Sequence, residues 1–415
     1  MFTKLLVLSI LSGSILSDKV RYDNYTLYKV QPEREEHVAF LKDLFEADDG
    51  LDFWKPPSVV GEYVSVVAPP EMRAEFELAL SKRSISSELM LENIQEAFDA
   101  QVVSRRKRES SRELFWTNYQ TIEDIYDWFN YLAETRSDIV SVVTIGQSYE
   151  GRNITGIKIA RGTGKKAFVL EGGQVGADWL SPTVLTYLVD QLVKGTDAEA
   201  RAASEDFEWH IFPIVNPDGH QFTQDSVRLW VKNRRPTTRT TIGVDLTKNW
   251  NSQWGIIGGS FTPAASNYIG LGPFSEVETR SLARYIEGIG PNLVGFLSLR
   301  SFGQRLLVPF AHSTVPMYNY QDVLTVGRRA MGSLSVRYGT LYITGTSRLV
   351  HSGNTGAAED WVKHRFNPPI SAAYLLRDTG SWGYTLPVNQ VLPTCEETFD
   401  SVMAVIREAK FINIL

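Results

Sequence analysis

Apolar and polar positions follow two periods along this chain and divide it into two stretches of α/β character. In the first, Tyr22 to Val30 alternates as a strand does, Glu33 to Glu46 has helical spacing, and Tyr63 to Val67 is β-rich until Pro69-Pro70 stops it. A helix from Glu71 to Lys82, a short strand at Leu89-Met90-Leu91 and a helix from Gln95 to Gln101 follow. From Phe115 onward, helical segments at Thr121 to Thr135, Ser181 to Val193, Ser275 to Ile289, Asp322 to Tyr338 and Cys395 to Lys410 alternate with short apolar strands. Those strands include Ile139 to Ile145, Gly156 to Arg161, Ala167 to Leu170, Trp209 to Val215 and Leu293 to Leu299. Alternation sustained from 115 to 415 predicts one α/β domain with a largely covered sheet.

The element order of the first stretch resembles an open ferredoxin-like sandwich. Between the stretches lies Arg105-Arg106-Lys107-Arg108, flanked by Ser104 and Glu109-Ser110-Ser111. An exposed polar connector between folded units is where a processing protease cuts, and the plainer alternative is a solvated surface run. At the start, Lys4, the mostly apolar run Leu5 to Leu11 and the small residues Ser12-Gly13-Ser14 read as a secretory leader ending near Ser17. It is too short to span a bilayer, which takes about 20 apolar residues. The expected organisation is therefore a leader at 1–17, a small domain at 18–104, a basic linker at 105–114 and a large domain at 115–415, in a secreted, extracellular protein.

Composition narrows the partners. With 43% hydrophobic and 22% charged residues the chain has the makings of a folded core, and its net charge of −6 is spread along the sequence. Neither nucleic acid nor a membrane surface is expected as a partner. Cys395 is the single cysteine, so no disulfide forms within the chain, and it reads as a small buried hydrophobe rather than a reactive thiol. Asn24-Tyr25-Thr26 and Asn153-Ile154-Thr155 are glycosylation sequons that suit secretion.

Several motifs follow one another in a fixed order. They are Gly173-Gln174-Val175-Gly176-Ala177-Asp178-Trp179, Asn216-Pro217-Asp218-Gly219, Arg228-Leu229-Trp230, Gly243-Val244-Asp245 with Asn249-Trp250, and Gly272-Pro273-Phe274-Ser275-Glu276. Ser298-Leu299-Arg300-Ser301-Phe302-Gly303, Arg377-Asp378-Thr379-Gly380, Gly383-Tyr384, Leu386-Pro387 and Glu396-Glu397-Thr398 continue the series. Together they resemble the metallocarboxypeptidases of the carboxypeptidase A/B type over nearly the whole chain. That resemblance implies a secreted zymogen: a ferredoxin-like propeptide domain as internal partner, a basic activation segment, and a peptidase domain built on a mixed, twisted sheet with helices on both faces.

The resemblance also implies a zinc ion held by two His and a Glu, with an open position for the water to be activated. The matching positions here are Val175, Asp178 and Arg300. Valine has no donor atom and a guanidinium is a permanent cation. The position of the family's general-base Glu is Leu375, that of its oxyanion Arg is Val231, and that of its closing Tyr is Ser352. Thr247-Lys248 stands where the family grips the substrate carboxylate with Asn-Arg, and Ala177 replaces a substrate-binding Arg. Catalytic residues and zinc are therefore both expected to be absent. The expected function is that of a carboxypeptidase-like pseudoenzyme with a binding or regulatory role, the alternative being an active zinc carboxypeptidase that removes C-terminal residues.

Two further expectations concern what replaces the metal. In the family the acid at Asp245 supports a zinc-bound His, so here it needs a new partner. Arg300 is expected either to lie in the former zinc cavity against Asp178, Asp245 or both, or to turn out to solvent. Glu359 matches the position that sets side-chain preference, and with Lys248 it is the candidate substrate-binding pair for a basic peptide or protein C-terminus. The histidines His37, His210, His220, His312, His351 and His364 show no helical metal-binding spacing. No Gly-x-Ser-x-Gly elbow appears, and Gly162-Thr163-Gly164-Lys165 reads as a turn between strands rather than a phosphate loop.

Overall fold

The computed structural model of the chain describes residues 19–47, 50–101, 114–351 and 354–415. The expected leader at 1–17, the run Arg105–Arg108 and Ser352 lie outside the described residues. The smaller unit has strands β1 (Thr26–Gln31), β2 (Asp52–Lys55), β3 (Val64–Ala68) and β4 (Ser86–Leu91), in the order β2-β3-β1-β4. All its pairings are antiparallel, as in a ferredoxin-like sheet. Side chains alternate across a strand. Tyr28, Val30, Val64 and Val66 therefore point to one face, where they pack with Leu41, Phe76 and Leu80 of the helices Glu35–Ala47 and Arg73–Lys82. Leu27 and Val67 point to the other face and join Trp54, Ile94 and Phe98 in a separate cluster. That cluster also contains Phe302 of the larger unit. Both faces of β3 are covered, and all five of its residues are buried.

The larger unit carries eight further strands: β5 (Val140–Gln147), β6 (Asn153–Ile159), β7 (Lys166–Glu171), β8 (Phe207–Phe212), β9 (Leu293–Arg300), β10 (Arg305–Val308), β11 (Ile343–Thr346) and β12 (Ile370–Leu375). Their order is β11-β10-β12-β9-β7-β8-β6-β5. The central run β8-β7-β9-β12 is parallel, while β12 pairs antiparallel with β10, and β6 pairs antiparallel with both β8 and β5. Phe168, Leu170, Leu297 and Leu299 face the helices Ile122–Thr135, Leu180–Lys194, Tyr320–Tyr338 and Val391–Phe411. Val169, Phe212 and Phe296 face Val277–Ile289 and Ala358–Phe366 on the opposite side. Helices therefore cover both faces of a mixed sheet.

The expected helices are present with ends displaced by up to four residues, the largest shift being Val391 in place of Cys395. The Gly162–Lys165 segment is the turn between β6 and β7, and Cys395 is fully buried. No described helix is long and apolar enough to cross a membrane. The strands β7, β9 and β12 all end on the same side, at Glu171, Arg300 and Leu375. In parallel sheets ligands are bound beyond the carboxyl ends of strands, and here those ends carry the motif positions.

Candidate functional site

Backbone register brings the separated motifs together. Glu171 is opposite Ser298, and Arg300 is opposite Leu375, so β7, β9 and β12 present their last residues side by side. The turn after β7 leads through Val175 and Asp178 into the helix Leu180–Lys194. Asp178 serves that helix start. Its Oδ1 accepts from Leu180 N at 3.1 Å and Ser181 N at 3.0 Å, and its Oδ2 accepts from Ser181 Oγ at 2.8 Å. Ser301 adds its N–H at 2.8 Å and its hydroxyl at 2.5 Å. A carboxylate here satisfies helical N–H groups that have no partner within the helix, and the helix dipole favours its charge.

Asp245 is likewise engaged. It accepts from Thr247 N at 3.0 Å and Thr247 Oγ1 at 2.6 Å, and it pairs with Lys248 Nζ at 2.8 Å. Lys248 is the buried anion's partner rather than a free cation.

Arg300 is directed elsewhere. Its side chain is 12% exposed, its Nε donates to Ser298 Oγ at 3.1 Å, and its Nη2 forms an ion pair with Glu359, which is 2% exposed. The expected contact with Asp178 or Asp245 does not form, and neither does the swing to solvent. The reason is local: both aspartates are already served by nearby donors. An unpaired carboxylate buried like Glu359 would carry a large desolvation cost. Burial works against charge on Arg300, but Glu359 and then Glu171 outweigh it and hold the guanidinium above its ordinary range.

Glu171 was not marked by any sequence signal beyond standing at the end of an apolar strand. Burial pushes its carboxyl up to about 7, with Arg300 the main opposing influence. Gln174 Nε2 donates to Glu171 Oε1 at 2.7 Å, and Trp250 Nε1 donates to Gln174 Oε1 at 3.1 Å. The remaining positions offer little chemistry. Leu375 packs with Leu307 and Ala373, with Val350 against them. Val231 contributes a backbone carbonyl to Gly176 N at 3.0 Å, and the carbonyl of Ala177 accepts from Arg228 Nη1 at 2.8 Å.

As a donor set for a divalent metal, Val175, Asp178 and Arg300 do not fit. One side chain has no donor, one is a fixed cation, and the carboxylate already accepts five hydrogen bonds. Among the described residues no group of three or more His, Cys, Asp or Glu is arranged to hold a metal ion. The proposed substrate pair is also differently placed: Glu359 is taken by Arg300 and Lys248 by Asp245.

The chain is similar to known proteins over most of its length. The profile of the zinc carboxypeptidases matches residues 125–401, and that of the carboxypeptidase activation peptide matches residues 28–101. Zinc carboxypeptidase A 1 of Anopheles gambiae is 34% identical over 395 residues, covering 95% of this chain and 91% of that protein. Human carboxypeptidase A1 is 30% identical, with 97% of each chain covered. Among solved structures, thrombin activatable fibrinolysis inhibitor superposes with a TM-score of 0.85 at 22% identity, over 93% of this chain and 98% of that one. Carboxypeptidase A of Helicoverpa armigera gives 0.84 at 24% identity, over 94% and 98%. These two likenesses concern the fold.

Proposed function

The chain belongs to the zinc carboxypeptidase family, with an activation-peptide domain ahead of the peptidase-like domain, and we propose that within it this protein is a non-catalytic member with a binding or regulatory role. The observation that supports this reading is the Arg300–Glu359 ion pair beyond the ends of β9 and β12. Peptide hydrolysis in such a site needs a Lewis acid, a group to take a proton from water, and a cation for the developing oxyanion. In our reading Arg300 replaces the first with a cation bound to an internal carboxylate. Leu375 has no group for the second, and Val231 has none for the third. Zinc is therefore not a cofactor of this chain, and no step of a metal-assisted reaction is assigned to it.

Binding of a basic C-terminus by Glu359 and Lys248 would require both internal ion pairs to open, so we place partner binding on the protein's surface. We further propose that the segment at 1–17 exports the protein. Hydrolysis of substrates with C-terminal Arg, Leu and Phe tests the reading, with the intact protein and with protein cut at 105–108, both in added zinc. No cleavage above the protein-free control is expected. Chelator-sensitive cleavage would instead establish the protein as an active zinc carboxypeptidase.

A further inference from the structure

The two edges of the eight-stranded sheet differ. β5, at one edge, is interrupted by a register shift between Thr144 and Gly146, the kind of irregularity that keeps an edge from pairing with another chain. β11, at the other edge, pairs in unbroken register with β10 alone, and its residues Ile343-Thr344-Gly345-Thr346 include neither a charge nor a proline. The Ile343 N–H donates to the carbonyl of Gln304 at 3.1 Å, on the β10 side. In a parallel pair successive residues direct their backbone groups to alternate sides, so the N–H and C=O of Thr344 face away from the sheet.

Apolar side chains flank this free edge. Leu341 is 76% exposed and Ile343 55%, and Val336 and Leu349 are exposed before and after them in the chain. Between β11 and the helix Tyr320–Tyr338 lies an open groove of about 200 Å³, lined among others by Arg328, Met331, Gly332, Leu341 and Thr344. A Cβ at Gly332 would meet nothing within 4 Å, so the helix wall is open there. Thr344 Oγ1 has no hydrogen-bond partner among the described residues.

Charge selects the occupant. Arg329 and Arg337 of the same helix pair with Glu408 and Asp400. Arg328 in the groove and Arg348 just after β11 have no carboxylate partner among the described residues. An exposed sheet edge takes an extended chain as an added strand, held by main-chain hydrogen bonds and chosen by its side chains. Two unpaired cations beside the edge favour a chain that carries carboxylates.

We propose that the groove along β11 is where this protein binds its partner: it takes an extended segment of another protein as an added strand, with apolar side chains against Leu341 and Ile343 and an acidic residue against Arg328. The site so assigned supplies the surface that the non-catalytic reading above calls for, and it rests on that reading.

Fluorescence anisotropy on the full chain tests this, with a labelled heptapeptide of alternating valine and threonine that has aspartate at both ends and an amidated C-terminus. The amide leaves no C-terminal carboxylate for a carboxypeptidase site, so binding is read apart from hydrolysis. Cleavage of the Arg, Leu or Phe substrates would therefore sink the non-catalytic reading and leave this measurement standing. Saturable binding with a Kd below about 1 mM is expected, weakened about 10-fold or more by lysine in place of both aspartates or by Arg328→Glu. Gly332→Trp fills the groove from an exposed helix position and abolishes binding, while an unchanged Tm shows that the fold is kept. No saturable binding up to about 1 mM overturns the proposal, as does full-strength binding by Arg328→Glu or by Gly332→Trp. A dimer on gel filtration that Gly332→Trp returns to monomer overturns it too, by giving the edge to a second copy of the chain.

Discussion

Arg300→Leu tests the ion pair most sharply, because it keeps an apolar side chain there while removing the cation and, with it, the hydrogen bond to Ser298 Oγ. Glu359, 2% exposed, then has no partner for its charge. Breaking a buried pair from one side costs about 3–5 kcal/mol, whereas replacing both partners by apolar groups is often neutral or better. Arg300→Leu is therefore expected to lose about 3 kcal/mol or more at pH 7, and Arg300→Leu with Glu359→Leu to recover to within about 1 kcal/mol of the original.

The loss also depends on pH, with a defined sign. Glu171 already has a folded pKa of about 7, above its ordinary value of 4.5, and removing Arg300 takes away the main influence holding it down. A carboxyl raised in the folded state adds stability that is complete below about 4.5 and is lost as pH rises through its folded value. The Arg300→Leu deficit is thus expected to be smaller at pH 5 than at pH 7. Urea unfolding at both pH values reads all three proteins. A single variant that loses less than about 1 kcal/mol at pH 7, or a double variant no more stable than the single, would refute the argument.

Other groups give independent tests. Burial, helped by Arg228, holds His220 down at about 3, so its contribution is complete above its ordinary value of 6.5 and is lost as pH falls toward 3. Between pH 7 and 5 the stability difference between the original and His220→Gln should move by about 2 kcal/mol in the variant's favour, measured by urea midpoints. An unchanged difference would place a charged imidazole in the folded protein. Thr121 caps the helix Ile122–Thr135 by accepting from Asp124 N at 3.1 Å, while Asp124 accepts from Thr121 N at 3.3 Å. Thr121→Ala should cost about 1 kcal/mol in thermal or urea unfolding.

Legibility in the sequence followed the strength of local patterns. β7 and β9 were readable because Ala167–Leu170 and Leu293–Leu299 are apolar runs bounded by polar residues. β12 was missed because Ser371, Ala372 and Ala373 are small residues with weak strand preference, buried by their neighbours rather than by their own bulk. β2, β10 and β11 have four residues each, too few to show a period. In the site, the motif positions lie at or just beyond the ends of β7, β9 and β12, a placement that comes from strand register, and the partner of Arg300 was not legible either. Arg300 and Glu359 are 59 residues apart and meet only because the helix Ala358–Phe366 packs over β9 and β12. The sequence also left Asp178 and Asp245 looking like carboxylates that Arg300 would serve, because the donors to Asp178 from Ser181 and Ser301, and those to Asp245 from Thr247 and Lys248, depend on loop geometry.

Zinc stoichiometry is the most direct test of the central claim. The purified full-length protein, incubated with excess zinc and desalted, should carry well under one zinc per chain by atomic absorption, with no change on Arg300→Ala that restores it. One zinc per chain, retained through desalting and removed by a chelator, would contradict the account.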